Sequence, residues 1–288
     1  RESGDLDGAR RMLQYAIAVD PMMVASYFDL AVVFLRSNQM PWALGQFEAG
    51  LNVPKASGPP PDFGAAITEL SKTAGSNADA HHMLGRLMGL AGASAPQVLA
   101  EFTESLRLNP MYVEAHNSIG LLFMQTGDDA KAIGAFREGI RLRPDYAEAL
   151  NNLGAILIAS EPAEAVKHLE RAVALNPSLV KAHYNLANAY GASAAHGPDK
   201  EVAQLRKTIA LDESHARARF ALGKALLRKN AVPEAVESLR RAVELDPAYG
   251  EARYQYGLAL ARAGRASEAK GEIEKGRALR TIENYDHY

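Results

Sequence analysis

The stretch AEALNNLGAIL at 147–157, followed by AEAVKHLERAVALNP at 163–177, determines how this chain folds. Both halves are rich in residues that favour helices, and the second ends at Pro177, where proline cannot continue the preceding helix. Leu169 precedes Ala172 by three positions, so a large and a small residue share one helix face. Such a face lets a neighbouring helix approach closely. The stretch therefore predicts two packed helices followed by a proline turn.

The same arrangement recurs along the chain. From Gly85 onward, the small residue that follows a large one returns after 35, 34, 33, 36 and 34 positions. A fixed period of this length indicates one helix-pair unit used repeatedly. The recurring pairs are Leu30-Ala31, Leu84-Gly85, Ile119-Gly120, Leu153-Gly154, Leu186-Ala187, Leu222-Gly223 and Tyr256-Gly257.

These registered positions resemble the tetratricopeptide repeat family over nearly the whole chain. A second well-formed stretch, ARARFALGKALLRKN and VPEAVESLRRAVELDP within 216–247, carries the same pattern. The resemblance implies an all-α fold, a right-handed α-solenoid of antiparallel helix pairs with about seven full units after an N-terminal half repeat. We expect a single solenoid over 1–288, with the half repeat at 5–21 and full repeats at about 22–54, 78–110, 112–144, 147–177, 180–213, 216–247 and 250–280.

One segment breaks the period. Pro54 and Pro110 lie 56 residues apart, which exceeds one repeat by 22. The prolines at 59–61 cannot lie inside a helix, whereas 62–74 begins with an N-cap residue and continues with helix formers. The sequence predicts an insertion at 52–77 that contains one extra short helix. It is either a tolerated loop or a break between two binding surfaces.

Composition limits the possible functions. The 288 residues carry a net charge of -2, which argues against nucleic acid as a general partner. The chain has no cysteine, so disulfides and thiolate chemistry are excluded, and no apolar run is long enough to insert into a membrane. We expect a soluble protein of the cytoplasm or periplasm. Because the chain opens at Arg1 and its first helix matches only half a repeat, we also expect it to be a fragment of a longer protein.

No catalytic signature is present: the sequence has no phosphate-binding glycine loop, zinc-binding helix or nucleophile elbow. His81, His116 and His183 occupy equivalent positions in their repeats. Repetition alone explains this shared position, so the sequence favours packing histidines over a metal site. We expect a non-enzymatic chain without cofactor or metal.

The candidate binding residues lie on the first helix of each pair. In the tetratricopeptide repeat family, ligands usually lie in the concave groove that these first helices form. Here asparagines could hold a peptide backbone, aromatic rings could anchor side chains, and cations could meet carboxylates. The predicted site consists of Asn117, Asn151, Asn152, Lys181, Tyr184, Asn185, Asn188, Arg217, Phe220, Lys224, Tyr254 and Gln255.

The sequence thus favours a protein-interaction scaffold that binds an extended peptide or a partner helix in this groove. The groove changes from acidic, with Asp79 and Glu114, to basic, with Lys181 and Arg217, so the expected partner is a protein or peptide with acidic segments. One alternative is the substrate-presenting arm of an enzyme whose catalytic domain lies outside this chain. The other is self-association through the terminal repeats.

Overall fold

The computed structural model describes residues 5–54 and 57–285. Within them the all-α fold is confirmed, and the one β-type contact there is an isolated bridge between Met23 and Ser57. The helices are α1 (Leu6–Val19), α2 (Val24–Arg36), α3 (Met40–Leu51), α4 (Phe63–Thr73), α5 (Ala78–Leu90), α6 (Ala95–Leu108), α7 (Val113–Gln125), α8 (Asp129–Leu142), α9 (Ala147–Leu157), α10 (Pro162–Leu175), α11 (Val180–Ala192), α12 (Pro198–Leu211), α13 (Ala216–Arg228), α14 (Val232–Leu245), α15 (Gly250–Arg262) and α16 (Ala266–Tyr285).

The chain divides into two compact units, unit 1 at Arg1–Pro144 and unit 2 at Asp145–Tyr288. In unit 1, α2 packs on α3, α5 on α6 and α7 on α8. In unit 2 the pairs are α9 with α10, α11 with α12, α13 with α14 and α15 with α16. We call the earlier member of each pair its first helix and the later member its second helix. None of the described helices is both long and apolar enough to cross a membrane.

The helix α4 belongs to the core of unit 1. It packs against both α2 and α5, and its Ala66 and Leu70 are fully buried. Phe63 at its first position lies edge-on to Phe28 of α2, with ring centroids 5.4 Å apart, and Phe28 also contacts Phe47 at 5.3 Å. The helix of the irregular segment is therefore integrated into the packing of unit 1. The division of the chain into repeats stays a prediction.

The two helices of a pair approach each other most closely where a large side chain of one lies against a small residue of the other. In unit 2, a Cβ added at Gly154 would lie 2.5 Å from Cγ of Leu169, and one at Gly223 would lie 2.4 Å from Cγ of Leu239. Both leucines are fully buried. The glycines are required for this close approach, because any side chain there would overlap the partner helix.

A hydrogen bond ties most first helices to the turn that precedes them. The donor lies three residues before the recurring large residue, and the acceptor is the backbone carbonyl six residues earlier, at 3.0 to 3.2 Å. In chain order the donors are Tyr27, His81, His116, His183, Arg219 and Arg253, and the acceptors are Pro21, Gly75, Pro110, Pro177, Glu213 and Pro247. These bonds satisfy carbonyl groups that the turns would otherwise leave unpaired.

Candidate functional site

The predicted binding residues, with the exception of Asn117, lie on the first helices of unit 2. Asn117 belongs to α7 of unit 1, where it is buried. The others form what we call the unit 2 face: Asn151, Asn152, Lys181, Tyr184, Asn185, Asn188, Arg217, Phe220, Lys224, Tyr254 and Gln255.

Asparagines link α9 to α11 on the unit 2 face. The amide of Asn185 donates to Oδ1 of Asn151 at 2.9 Å, and the amide of Asn151 donates to Oδ1 of Asn152 at 3.1 Å. Asn151 is buried, so much of its hydrogen-bonding capacity serves this link. Asn185 and Asn188 are half-buried, and each retains donor or acceptor groups toward the surface. Asn185 and Asn188 are therefore the better-placed contacts for a peptide backbone.

Aromatic rings fill the seams between successive first helices. The ring of Tyr184 lies 4.9 Å from that of His215, the residue before α13, and the ring of Phe220 lies 5.0 Å from that of Tyr249, the residue before α15. Tyr184 and Phe220 are half-buried. The next repeat thus covers part of each ring, so the rings contribute to packing as well as to the surface. Sequence reasoning placed them on an open face because their covering residues lie about thirty positions away.

The third aromatic and the last polar residue of the unit 2 face also have partners within the unit. Tyr254 is half-buried, and the guanidinium of Arg280 lies 5.1 Å from its ring centroid. The amide of Gln255 donates to Glu251 at 3.0 Å. Both groups are already engaged in contacts with α15 and α16. A ligand would have to share or displace these contacts.

Three cations of the unit 2 face differ from most of the basic residues around them. Arg206 pairs with Glu234 at 2.7 Å, and Arg240 pairs with Glu237 at 2.6 Å. In contrast, Lys181, Arg217 and Lys224 form no ion pair with any side chain that the structure describes. All three are exposed. They therefore present positive charge that the fold does not neutralise.

A local contact positions one of these cations, and another affects a nearby titration. Nζ of Lys224 lies 5.3 Å from the ring centroid of Phe220, a cation–π contact that keeps the ammonium group beside the aromatic surface. Burial raises the pKa of Tyr249 to about 12, and the positive charge of Arg217 opposes that shift. The cations and rings form one mixed surface on α11 and α13.

The histidines singled out in the sequence have structural partners. Nδ1 of His81 lies 2.7 Å from Glu101, and Nδ1 of His183 lies 2.7 Å from the side-chain oxygen of Gln204. The spacing of the sequence did not reveal these partners, because they lie on the second helices. No cluster of three or more potential metal ligands exists among the described residues.

Unit 1 contains a polar cluster that sequence reasoning did not select. Nε2 of His82 lies 2.9 Å from Oγ of Ser118, and its Nδ1 lies 3.3 Å from the hydroxyl of Tyr112. Burial lowers the pKa of His82 to about 4, and the nearby charge of Arg86 acts in the same direction. The imidazole is therefore neutral near pH 7 and bridges α5 to α7. The sequence does contain one signal for this cluster. His82 lies two residues before the recurring large residue, as Tyr184 and Phe220 do in their repeats.

Comparison with family models identifies the class of protein. A model described as TPR repeat matches residues 120–159 and 162–193, and one described as Tetratricopeptide repeat matches 1–59, 202–250 and 232–278. Together they match well over half of the chain, in both units. The chain belongs to the tetratricopeptide repeat family.

Solved structures of other tetratricopeptide repeat proteins resemble this fold. MamA from Desulfovibrio magneticus is 24% identical with a TM-score of 0.52, over 59% of this chain and 95% of that one. PilW, a widely conserved type IV pilus biogenesis factor, is 18% identical with a TM-score of 0.62, over 71% and 97%. YrrB, described as a TPR protein with an unusual peptide-binding site, is 20% identical with a TM-score of 0.53, over 62% and 92%. At these identities the similarity shows the fold alone.

A search of curated proteins found no match to this chain.

Proposed function

We propose that this protein is a non-catalytic interaction scaffold whose unit 2 face binds an extended, acidic segment of a partner protein. The observation that carries the proposal is that the three cations of the unit 2 face, Lys181, Arg217 and Lys224, are exposed and form no ion pair with any described side chain. Carboxylates of a bound peptide would supply the missing negative charge. Such charge complementarity favours one class of partner and accelerates its association.

The neighbouring residues suit an extended backbone. Asn185 and Asn188 lie on α11 with Lys181, and asparagine amides can both donate to and accept from peptide groups. Phe220 and Tyr184 offer partly exposed ring surface beside the cations, which can cover apolar parts of a ligand. The peptide-binding site named for YrrB, a protein of the same fold, supports peptide binding as a use of this architecture.

The proposal can be tested with peptides that differ only in charge. The probes are short fluorescein-labelled peptides in which alanine alternates with glutamate, glutamine or lysine, and binding to the full chain is measured by fluorescence anisotropy. We expect the glutamate peptide to bind most tightly, and its affinity to fall as salt rises. Equal affinity for the glutamate and glutamine peptides would contradict the proposal.

A variant pair then locates the binding surface. Lys181→Glu combined with Arg217→Glu should weaken binding of the glutamate peptide at least about tenfold, because like charges replace opposite ones. The matched control is Lys207→Glu combined with Lys270→Glu, which makes the same change in net charge at exposed lysines of second helices. An equal loss in this control would show a response to net charge rather than to the unit 2 face. Self-association through the terminal repeats stays a separate prediction.

A further inference from the structure

Two adjoining clefts of unit 1 are lined by residues of α3, α5, α6 and α7, and together we call them the unit 1 groove. The polar cleft, of about 550 Å³, is lined by residues that include Glu48, Asp79, His82, Arg86, Tyr112 and Glu114. The apolar cleft, of about 530 Å³, is lined by residues that include Leu51, Leu90, Val98, Phe102, Leu121 and Leu122. Arg86 lines both, so the two clefts adjoin at this side chain.

The apolar cleft has room for a large side chain, and its lining is mostly apolar apart from Arg86, Ser118 and Gln125. Val98 and Phe102 are buried in its floor, whereas Leu90 is 57% and Leu121 is 42% exposed on its walls. Covering exposed leucine surface is favourable by about 25 cal/mol per Å² of apolar area. A large apolar side chain would therefore gain from entering this cleft.

The polar cleft favours a cation. Glu48 pairs with Arg86, and Glu114 pairs with Arg143 at 2.7 Å. Asp79 has no basic partner among the described side chains, although it neighbours the hydroxyl of Tyr112. The carboxylates around the cleft thus exceed its guanidinium groups by one.

The imidazole of His82 does not change this excess of negative charge. Burial lowers the pKa of His82 to about 4, so His82 adds no positive charge near pH 7. Burial and the carboxylate of Asp79 both raise the pKa of Tyr112, so the hydroxyl stays neutral. The exposed carboxylate of Asp79 is the group that an incoming ammonium or guanidinium group would meet first.

We propose that the unit 1 groove binds a second extended peptide, one that carries a lysine or arginine about three residues from a large apolar side chain. The basic side chain lies against Asp79 and the apolar side chain fills the apolar cleft. The spacing follows from the geometry of α5, in which His82 lines the polar cleft and Gly89 lines the apolar cleft. The rise along the helix between these two residues is about 10 Å. An extended peptide spans that distance in about three residues. This site is distinct from the unit 2 face and has the opposite charge preference.

The test uses a labelled probe peptide with one lysine and one leucine about three positions apart in a serine and alanine background. Anisotropy with the full chain should show binding that weakens at least about tenfold when glutamine replaces the lysine, or serine replaces the leucine. These changes are made in the peptide, so they do not depend on how a protein variant folds. Equal binding of the three peptides overturns the proposal.

Protein variants place the peptide in the groove. Asp79→Asn with Glu114→Gln should weaken the lysine contact, and Leu121→Glu should weaken the leucine contact, each at least about tenfold. The matched controls are Asp129→Asn with Glu104→Gln on second helices, and Leu175→Glu at an exposed leucine of unit 2, which should all bind as the original chain does. Circular dichroism melts establish that each variant is folded.

A further variant separates this site from the proposed function. Lys181→Glu with Arg217→Glu should leave the affinity for the lysine–leucine peptide unchanged, whereas it weakens binding of the glutamate peptide. If this variant and the groove variants weaken the lysine–leucine peptide equally, the unit 1 groove is not the site.

Discussion

At one register of the first helix, α5 and α7 of unit 1 carry charges opposite to those of α11 and α13 of unit 2, whereas α9 and α15 of unit 2 are acidic there, with Glu148 and Glu251. Five residues before the recurring large residue, α5 and α7 of unit 1 carry Asp79 and Glu114, whereas α11 and α13 of unit 2 carry Lys181 and Arg217. Equivalent positions on equivalent helices occupy the same place in a helix pair. The repeat thus fixes where a side chain lies, whereas its charge varies from one helix pair to the next.

Three of these four charges contribute little to the fold itself, whereas Glu114 pairs with Arg143 at 2.7 Å. Neither Lys181 nor Arg217 has an ion-pair partner among the described side chains, and Asp79 lacks a basic one. Exposed charges of this kind change stability by only a few tenths of a kcal/mol. We propose that this difference in charge serves recognition, and the experiments below test the proposal in order of decreasing effect.

The first prediction tests whether the two units share one scaffold. An added Cβ at Gly120 of unit 1 would lie 2.4 Å from the ring of Phe136, and one at Gly154 of unit 2 would lie 2.5 Å from Leu169. Gly120→Leu and Gly154→Leu should each lower the free energy of unfolding by about 3 kcal/mol through overpacking. Thermal and urea melts followed by circular dichroism measure the loss.

The control for overpacking is Gly134→Leu, at an exposed position of α8 where an added Cβ would meet nothing within 4 Å. It should leave stability unchanged or raise it slightly, since leucine favours helix more than glycine does. If Gly154→Leu melts like the original chain, the assigned packing of α9 on α10 is wrong.

The second prediction reverses the charges of unit 1 at this register. Asp79→Lys with Glu114→Arg gives unit 1 the charges that unit 2 carries at Lys181 and Arg217. This variant should bind the lysine–leucine peptide at least about tenfold more weakly, because the polar cleft becomes cationic. Anisotropy titrations at low and moderate salt measure the change. An unchanged affinity would show that charge at this register does not select the ligand.

The helix pairs could be predicted from the sequence because their determinants are local and repeat. The stretch 147–157 forms α9 over those same residues, and the proline turns separate successive pairs. Contacts between distant positions could not be predicted. The covering of Phe220 by Tyr249 and the pairing of His81 with Glu101 depend on how neighbouring helices approach, which the repeat period does not specify.

Parts of the candidate site show the same limit. Register placed Lys181, Asn185 and Arg217 on first helices, but it did not reveal that Asn185 bonds to Asn151. Register also placed Asp79 and Glu114 in an acidic part of the groove, but it did not reveal the clefts beside them, because the depth of a cleft depends on how the helices around it are separated. Whether the selected residues bind a peptide stays a prediction.

The smallest expected effect concerns His81 and His183, which are equivalent in register but have different partners. Burial of His81 disfavours its charged form, but the hydrogen bond and charge of Glu101, with the Gly75 carbonyl and Glu104, outweigh burial and raise the pKa of His81 above 6.5. The folded state therefore binds this proton more tightly than the unfolded chain. The resulting stability is fully present below the unfolded pKa and is lost as pH rises through the folded pKa.

Replacement of the acid should remove this dependence on pH. Glu101→Gln gives His81 an amide partner of the kind that Gln204 provides to His183. Below pH 6.5, we expect the variant to be less stable than the original chain by less than about 1 kcal/mol. As pH rises through the raised pKa of His81, the original chain should lose this advantage. Urea melts at a series of pH values measure it. An identical pH profile for both chains would assign the dependence to other groups.

The most direct test of the account is to map where each peptide binds on the intact chain. The glutamate peptide and the lysine–leucine peptide are each made with a photoreactive phenylalanine analogue, and cross-linked fragments are identified by mass spectrometry. The account predicts that the glutamate peptide cross-links to α11 and α13, and the lysine–leucine peptide to α5 and α7. Cross-links of both peptides to the same helices, or of the lysine–leucine peptide mainly to helices other than α3, α5, α6 and α7, would contradict it.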